Sequence, residues 1–467
     1  MTIALLIDFG STYTKLRVLD CDAGTVIASA QGPSTVERDV NVGLDAALSK
    51  LATSLRGLPP FTYRLASSSA AGGLRMVTVG LVRELTAEAA RQAALGAGAK
   101  LVGSFAYRLT AGDAATIAGL APDIVLLCGG TDGGNSTVIL HNARVLAATA
   151  LACPFVVAGN REAADEVTAL LAAAGKSVTL TDNVMPALDR LDIEPARAAI
   201  RSIFMHRIVH AKGIDKAAAR FDAVLMPTPA AVLEGARLLA DGTSTASGLG
   251  PLVVLDPGGA TTDVHSIGNG EPAEPGVIRQ GLPEPYAKRT VEGDLGMRIN
   301  AASIAAAIGP EQFAADAGVS LAQAEAHIGR LSADTAFLPA SAADIRFDRA
   351  LARAAIRIAM LRHAGRRETV YTAQGPVQLQ RGKDLGDVAL VVGTGGVLVN
   401  AEDAASLLAA AFADDADPQS LRPRHARLAV DRDYLLYAVG LLAQVDAGAA
   451  LRLGLNNLHE LECGVTA

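Results

Sequence analysis

The stretch IALLIDFGSTYTKLRVLD, residues 3–20, runs one apolar strand into a second across a turn of glycine and hydroxyls. A plain hairpin needs only turn residues. It does not need a carboxylate at the strand end, Asp8, followed by Gly10, Ser11 and Thr12. The same design returns far downstream as VVLDPGGATTDV, residues 253–264, with Asp256 at the strand end, a turn at Gly258 and Gly259, then Thr261 and a second strand. Glycines let backbone N–H groups approach an anion closely, and hydroxyls add donors. A carboxylate beside such a cradle is too close to bind phosphate directly. It fits if hydrated Mg²⁺ lies between them, because Mg²⁺ keeps its waters and takes carboxylates at second hand. Two such hairpins facing each other would clamp one polyphosphate from both sides. Two ordinary hairpins with an Asp at the turn are the plain alternative. The recurrence, and a third glycine motif after it, weigh against that alternative. The third motif is ALVVGTGGVLVN, residues 389–400, a buried strand ending in Gly393, Gly395 and Gly396 before a helix. Small residues there let a flat base and ribose lie against the backbone.

Bulk properties narrow the partners. At 467 residues the chain is too long for one ordinary core. Half its residues are apolar, yet no run of about 18 lacks charge, as a membrane helix would. The segment from Tyr434 to Leu455 carries Gln444, Asp446 and Arg452 and reads as a buried helix. The chain starts almost at once on a strand, without the basic region of a secretory signal. The net charge of −7 and the lack of a basic tract argue against nucleic acid. Cys21, Cys128, Cys153 and Cys463 are scattered, with no CxxC pair. That speaks for reduced thiols in the cytoplasm and against a zinc or iron–sulfur site. Trp is absent and aromatics make up 4%, so Ala, Leu and Val must build the core.

Along the chain the pattern is α/β. A three-stranded meander covers residues 3–30, a helix follows at 44–55, and Val77–Leu95 reads as helical. Strand, helix and strand at 155–180 form one parallel βαβ unit. The stretch 240–250 reads as a surface loop. A second meander is expected from Leu252–Asp256, Thr261–Ile267 and Val277–Gln280. Helices fill 295–363, a hairpin spans 369–380, and after the third glycine motif helices run to the end. The corresponding organisation is 1–100 with the first hairpin, an inserted α/β region at 101–215, and 216–300 with the second hairpin. A mainly helical subdomain at 301–388 and the third motif with C-terminal helices at 389–467 complete it.

Asp8–Lys15, Asp256–Val264 and Val392–Val397 resemble the phosphate-1, phosphate-2 and adenosine motifs of the actin-like ATPase superfamily, with its sugar kinases and heat-shock 70 chaperones. MPTPAAVLEGA (226–236) sits where that superfamily has its first connecting helix, and VEGDLGMRIN (291–300) where chaperone members begin a helix beside the nucleotide. The resemblance implies two RNase-H-like lobes around an ATP cleft, with an inserted α/β segment. Finer wording is similar to the accessory protein family of adenosylcobalamin-dependent glutamate mutase. It lies in LLCGGTDGGN (126–135), VVAGNREAADEV (156–167), DNVMP (182–186), the run 193–214, MPTPAAVL (226–233), GGATTDVHS (258–266) and VEGDLGMR (291–298). That resemblance implies a slow ATPase that acts as a chaperone-like reactivating factor, releasing damaged cobalamin from a mutase. Asp8 and Asp256 would face hydrated Mg²⁺. Gly10, Ser11, Thr12, Gly258, Gly259 and Thr261 would hold phosphates, and Gly393, Gly395 and Gly396 the adenosine. Lys15 would neutralise a phosphate or stand as an exposed strand lysine. Asp263 is the candidate for positioning the attacking water. One departure is that Met226 stands before Pro227 where heat-shock 70 chaperones carry Glu.

Other signals read as structure. DVHSIG (263–268) fits a cobalt-ligating Asp-x-His-x-x-Gly pattern, but it overlaps the second hairpin, so His265 reads as a strand residue. GGTDGGN (129–135) is a tight turn between strands, a third anion loop or part of a partner surface. ALARAAIRIAMLRHAGRR (350–367) is an amphipathic helix with a solvated basic face or a docking face. A small-molecule kinase of the sugar-kinase type is the alternative function on the same fold; it needs a catalytic Asp beside an acceptor hydroxyl. A filament-forming actin relative would polymerise with ATP, and a dehydratase activator would need clustered cysteines.

Overall fold

The computed structural model describes residues 1–10, 13–33, 35, 39–68, 74–211, 222–272, 274–335, 337–373 and 375–462. The chain forms two compact units. One comprises Met1–Gly235, Gly281–Pro285 and Tyr437–Leu453, the other Ala236–Gln280, Tyr286–Leu436 and Gly454–Ala467.

The first unit opens with β1 (Ile3–Phe9), β2 (Tyr13–Asp20), β3 (Thr25–Pro33), α1 (Val40–Leu55) and β4 (Tyr63–Ser68). Asp39 caps α1 by accepting from the Asn41 N–H at 2.9 Å. An alternating segment follows: β5 (Arg75–Gly80), α2 (Thr86–Gly96), β6 (Lys100–Ala106), α3 (Ala111–Gly119), β7 (Ile124–Leu127), α4 (Thr137–Ala147), β8 (Phe155–Val157), α5 (Ala164–Ala173) and β9 (Val178–Leu180). Then come α6 (Glu194–Ala211), β10 (Ala223–Pro227) and α7 (Thr228–Asp241). The first sheet has the order β10-β4-β1-β2-β3, with an antiparallel meander of β1 to β3 and parallel β4 and β10. The alternating segment makes a wholly parallel sheet, β6-β5-β7-β8-β9. One core serves both sheets, reaching from Leu5 and Ile7 of β1 to Met76 of β5 and Leu126 of β7. Ala89, Ala90, Ala93 and Ala94 bury α2 in that core, where small side chains permit close packing in place of aromatics.

The second unit contains β11 (Gly242–Thr243), β12 (Ala246–Ser247), β13 (Leu252–Pro257), β14 (Thr262–Ile267), β15 (Val277–Gln280) and β16 (Ala287–Glu292). The helices α8 (Ala301–Ile308), α9 (Pro310–Ala317), α10 (Leu321–Ala333) and α11 (Ala342–His363) follow, then β17 (Arg366–Thr372), β18 (Gly375–Arg381) and β19 (Leu390–Gly393). The second unit ends through α12 (Gly396–Val399), α13 (Ala404–Leu408), β20 (Arg427–Asp431) and β21 (Leu458–Leu461), with α14 (Leu436–Leu442) past its first residue and the first part of α15 (Ala447–Asn457) belonging to the first unit. Its main sheet has the order β16-β14-β13-β19-β20-β21. Here β13, β14 and β16 are the antiparallel meander, and β19 and β20 are the parallel strands added at β13. The two units therefore repeat one topology, the RNase-H-like arrangement that the resemblance implied.

Four local expectations change. Val77–Leu95 is not one helix: residues 75–80 are β5, buried on both faces, and a doubly buried strand shows no alternation that separates it from a helix. Val277–Gln280 does not complete the second meander. It pairs with β18 in a separate three-stranded sheet, and β16 takes its place. The charged letters of AKRTVE hid that strand, although Lys288 and Arg289 are buried with polar partners. The C-terminal region is not all helical, because β20 and β21 pair antiparallel within it. Residues 240–250 carry the short β11–β12 hairpin. Among the described residues no helix is long and apolar enough to cross a membrane.

Candidate functional site

In the first unit three parallel strand ends meet at Asp8. The β1–β4 register sets Asp8 opposite Ser67, and the β4–β10 register sets Ser67 opposite Met226. Two residues on, α7 begins with Thr228. Its hydroxyl donates to Asp8 Oδ1 at 2.7 Å, and the Ser67 hydroxyl donates to the same oxygen at 3.2 Å. Asp8 is 5% exposed. Burial pushes its carboxyl above the ordinary value, while the Thr228 hydrogen bond and the Lys15 charge pull it back. Lys15 is the direct cross-strand neighbour of Asp8. The turn is closed by the Gly10 N–H, which donates to the Tyr13 carbonyl at 3.0 Å. A Cβ on Gly10 would stand 2.6 Å from that carbonyl oxygen, so only glycine fits. Ser11 and Thr12, expected to hold phosphate, lie outside the described residues.

The second unit repeats this hairpin. The Gly258 N–H closes the turn on the Thr261 carbonyl at 2.9 Å, and Asp256 faces Asp263 where Asp8 faces Lys15. Two carboxylates directly opposite repel each other. Arg289 of β16 offsets this through Nε at 2.8 Å and Nη2 at 2.6 Å from Asp263 Oδ1. The Thr261 hydroxyl donates to Asp263 Oδ2 at 3.1 Å. Asp263 is thus engaged on both oxygens and orients Thr261. Behind the turn, the N–H groups of Met297 and Arg298 donate to the carbonyls of Gly258 and Gly259 at 3.0 and 2.9 Å. Arg298 is fixed in turn by a two-pronged pair with Asp348 at 3.0 and 2.6 Å. The GDLGMR segment therefore buttresses the Gly258–Ala260 turn, and α8 begins just beyond it at Ala301.

The third motif lies against the second hairpin. The Thr394 N–H donates to the Leu255 carbonyl at 2.9 Å. Gly395 has φ +92°, and a Cβ there would meet Asp256 Oδ1 at 2.5 Å. Gly393 closes β19, and Gly396 opens α12. Asp431, at the end of β20, anchors the loop. It accepts from Thr394 Oγ1 at 3.0 Å, from the Leu435 and Leu436 N–H groups at 2.8 and 3.2 Å, and from Asn457 Nδ2 at 2.5 Å. Tyr434 stands nearby, and burial together with the Asp256 charge raises its phenol.

His265 is 1% exposed on β14 and its Nδ1 has no hydrogen-bond partner. Burial, reinforced by Arg289, depresses its pKa to about 3. The unfolded chain takes up that proton below about 6.5, whereas the folded chain does so only near 3. Stability is therefore full above pH 6.5 and falls by about 1.4 kcal/mol per pH unit as pH drops towards 3. His265→Leu is expected to remove one proton's worth of that slope. Urea unfolding at pH 5 and pH 8, followed by circular dichroism because tryptophan is absent, checks it. In the first unit, GGTDGGN is a fastened turn. Asn160 bonds Gly133 N–H and the Gly134 carbonyl, and Asn183 bonds the Gly130 carbonyl and Asp132.

Residues 4–458 match the family model described as MutL protein. The chain belongs to the MutL family. Protein MutL of Clostridium tetanomorphum is 46% identical over 454 residues, 97% of this chain and 98% of its own length. The resemblance to the glutamate mutase accessory family is borne out by both. Among solved structures, xylulose kinase from Bifidobacterium adolescentis is similar over 99% of this chain and 96% of its own, with 12% identity and a TM-score of 0.33. Gluconate kinase from Lactobacillus acidophilus is similar over 99% and 93%, with 11% identity and a TM-score of 0.34.

Three residues of this MutL-family chain that bond to the candidate site, Ser67 and Thr228 to Asp8 and Asp431 to Thr394, escaped the sequence reading. Ser67 sits in SSSAAGG, where three serines at a strand end are a usable signal. Thr228 follows Pro227, and its hydroxyl donates to Asp8. Asp431 had no signal, because β20 was not recognised as a strand.

Proposed function

We propose that this protein is an ATP-driven reactivating factor for an adenosylcobalamin-dependent mutase, glutamate mutase or a related aminomutase, working in the cytoplasm. The observation that carries the reading is the duplicated hairpin. Each unit ends its first sheet strand on an aspartate, closes the same glycine turn with the same N–H to carbonyl bond, and stands in the same sheet topology. A glycine turn with a carboxylate at its strand end is an anion cradle, and each unit carries one.

The residues fit a hydrated cation. Asp8 gives Oδ1 to two hydroxyls, and its Oδ2 has no hydrogen-bond partner among the described residues. Asp8 and Asp256 would meet Mg²⁺ through water, because Mg²⁺ keeps its waters. Mg²⁺ would neutralise the charge that develops on the phosphates. Ser11, Thr12 and the Gly259 and Thr261 N–H groups would offer donors to the phosphates within the turns that Gly10 and Gly258 close, and Lys15 a positive charge. Asp263 holds the Thr261 hydroxyl in place, and the water-positioning role passes to groups near Asp8, with Thr228 and Ser67 keeping that carboxylate oriented. Gly393, Gly395 and Gly396 would carry the adenosine. Loss of the γ-phosphate would change what the cradles hold, and a client that binds the two nucleotide states unequally would be driven between states.

The test is corrinoid exchange. Glutamate mutase loaded with an inactive cobalamin is incubated with this protein and ATP, and free corrinoid is measured after filtration. Release with ATP, and none with a non-hydrolysable analogue, is expected. Release that ignores the nucleotide, or phosphorylation of an added polyol in its place, would overturn the reading.

A further inference from the structure

Helix α11 buries one face through Phe347, Leu351, Ala355 and Met360. Its opposite face carries Arg346, Arg349, Arg353 and Arg357, at spacings of three, four and four residues. Those spacings keep all four on one side of the helix. Eleven residues of helix make the stripe about 16 Å long. At its first three arginines lies a cleft of about 230 Å³ between α11, the end of α9 and the start of α13. Ala317, Gly318, Ala350 and Leu407 give the cleft an apolar wall, and Asp316 and Asp403 line it beside the three arginines.

The stripe has spare cationic capacity. Arg349 is held by Asp403, with Nε 2.7 Å from Oδ1. Arg353 donates only to a neutral partner, the Ser406 hydroxyl at 2.8 Å. Arg346 is exposed and has no counter-ion among the described residues. Arg357 stands 3.7 Å from Asp414, a carboxylate that buried Arg422 already engages at 3.0 Å. The whole chain carries a net charge of −7, so this island runs against the protein's overall sign. A small oxyanion would use one end of the stripe. Carboxylates spaced along a protein segment match its full length, and the apolar wall takes the stem of one such side chain.

We infer that this α11 face docks an acidic segment of the partner protein. The inference rests on the accessory-factor reading for the identity of that partner. Arginine pairs of this kind act through steering and salt-dependent affinity.

The test compares wild type, Arg346→Glu/Arg353→Glu and Arg346→Lys/Arg353→Lys for binding to purified glutamate mutase at low and moderate salt. The wild type is expected to weaken with salt, and the glutamate variant to lose at least 10-fold in affinity. The lysine variant keeps most of it, and ATP hydrolysis without mutase is unchanged in all three. Equal affinity of wild type and glutamate variant would overturn the docking face while leaving the accessory reading intact. If the wild type binds no mutase, the accessory reading fails, and a synthetic glutamate-rich peptide decides the face. Binding lost in the glutamate variant supports it; binding equal in both proteins, or no tighter than inorganic phosphate, overturns it.

Discussion

Replacing Asp256 by alanine is expected to lower ATP turnover by roughly 100-fold, the loss typical when one preorganised electrostatic group leaves a phosphoryl-transfer site. The same change should leave the fold intact or slightly firmer. Asp256 faces Asp263 directly across the β13–β14 hairpin, and removing one of two like charges in that register relieves repulsion. Steady-state phosphate release and thermal unfolding by circular dichroism, run on one preparation, separate the two effects. A large fall in turnover with an unchanged or raised midpoint supports the assignment. Turnover that falls only in step with stability would reduce Asp256 to a turn residue.

The second large effect is expected at Asp431. Alanine there leaves the Leu435 and Leu436 N–H groups, the Thr394 hydroxyl and the Asn457 amide without their acceptor. Each buried donor left unmade costs about 1–3 kcal/mol, and release of a buried carboxylate recovers part of the sum. A net loss of about 3 kcal/mol in the second unit follows. Thr394 also loses its anchor, so the Gly393–Gly396 loop should hold adenosine less firmly, with nucleotide affinity falling about 10-fold. Urea unfolding and equilibrium dialysis with labelled ATP check the pair. Asp431→Asn keeps the shape and half the acceptors, and should fall between wild type and alanine on both measures.

The two hairpins were legible because their logic is local. A strand end, a carboxylate and a glycine turn lie within a dozen residues, and the register that sets Asp8 beside Lys15 and Asp256 beside Asp263 follows from hairpin closure. What stayed hidden is what only tertiary pairing creates. Thr228 reaches Asp8 across 220 residues of chain. β16 looked too charged for a buried strand, because sequence does not show that Arg289 meets Asp263 and that Lys288 donates to the His363 carbonyl. β5 was lost for the opposite reason: buried on both faces, it carries no period. The same local logic read residues 350–363 of α11 as amphipathic helix, since a helix writes its burial into its own spacing, but it carried the helix on to 367, where Arg366 and Arg367 already belong to β17.

The most direct measurement is steady-state ATP hydrolysis with Mg²⁺, with and without glutamate mutase that holds an inactive cobalamin. The expected result is slow basal turnover that rises when the loaded mutase is added and does not rise with the Asp256→Ala variant. Turnover indifferent to the mutase, in a protein that binds ATP, would contradict a mutase-coupled motor and send the search to other clients.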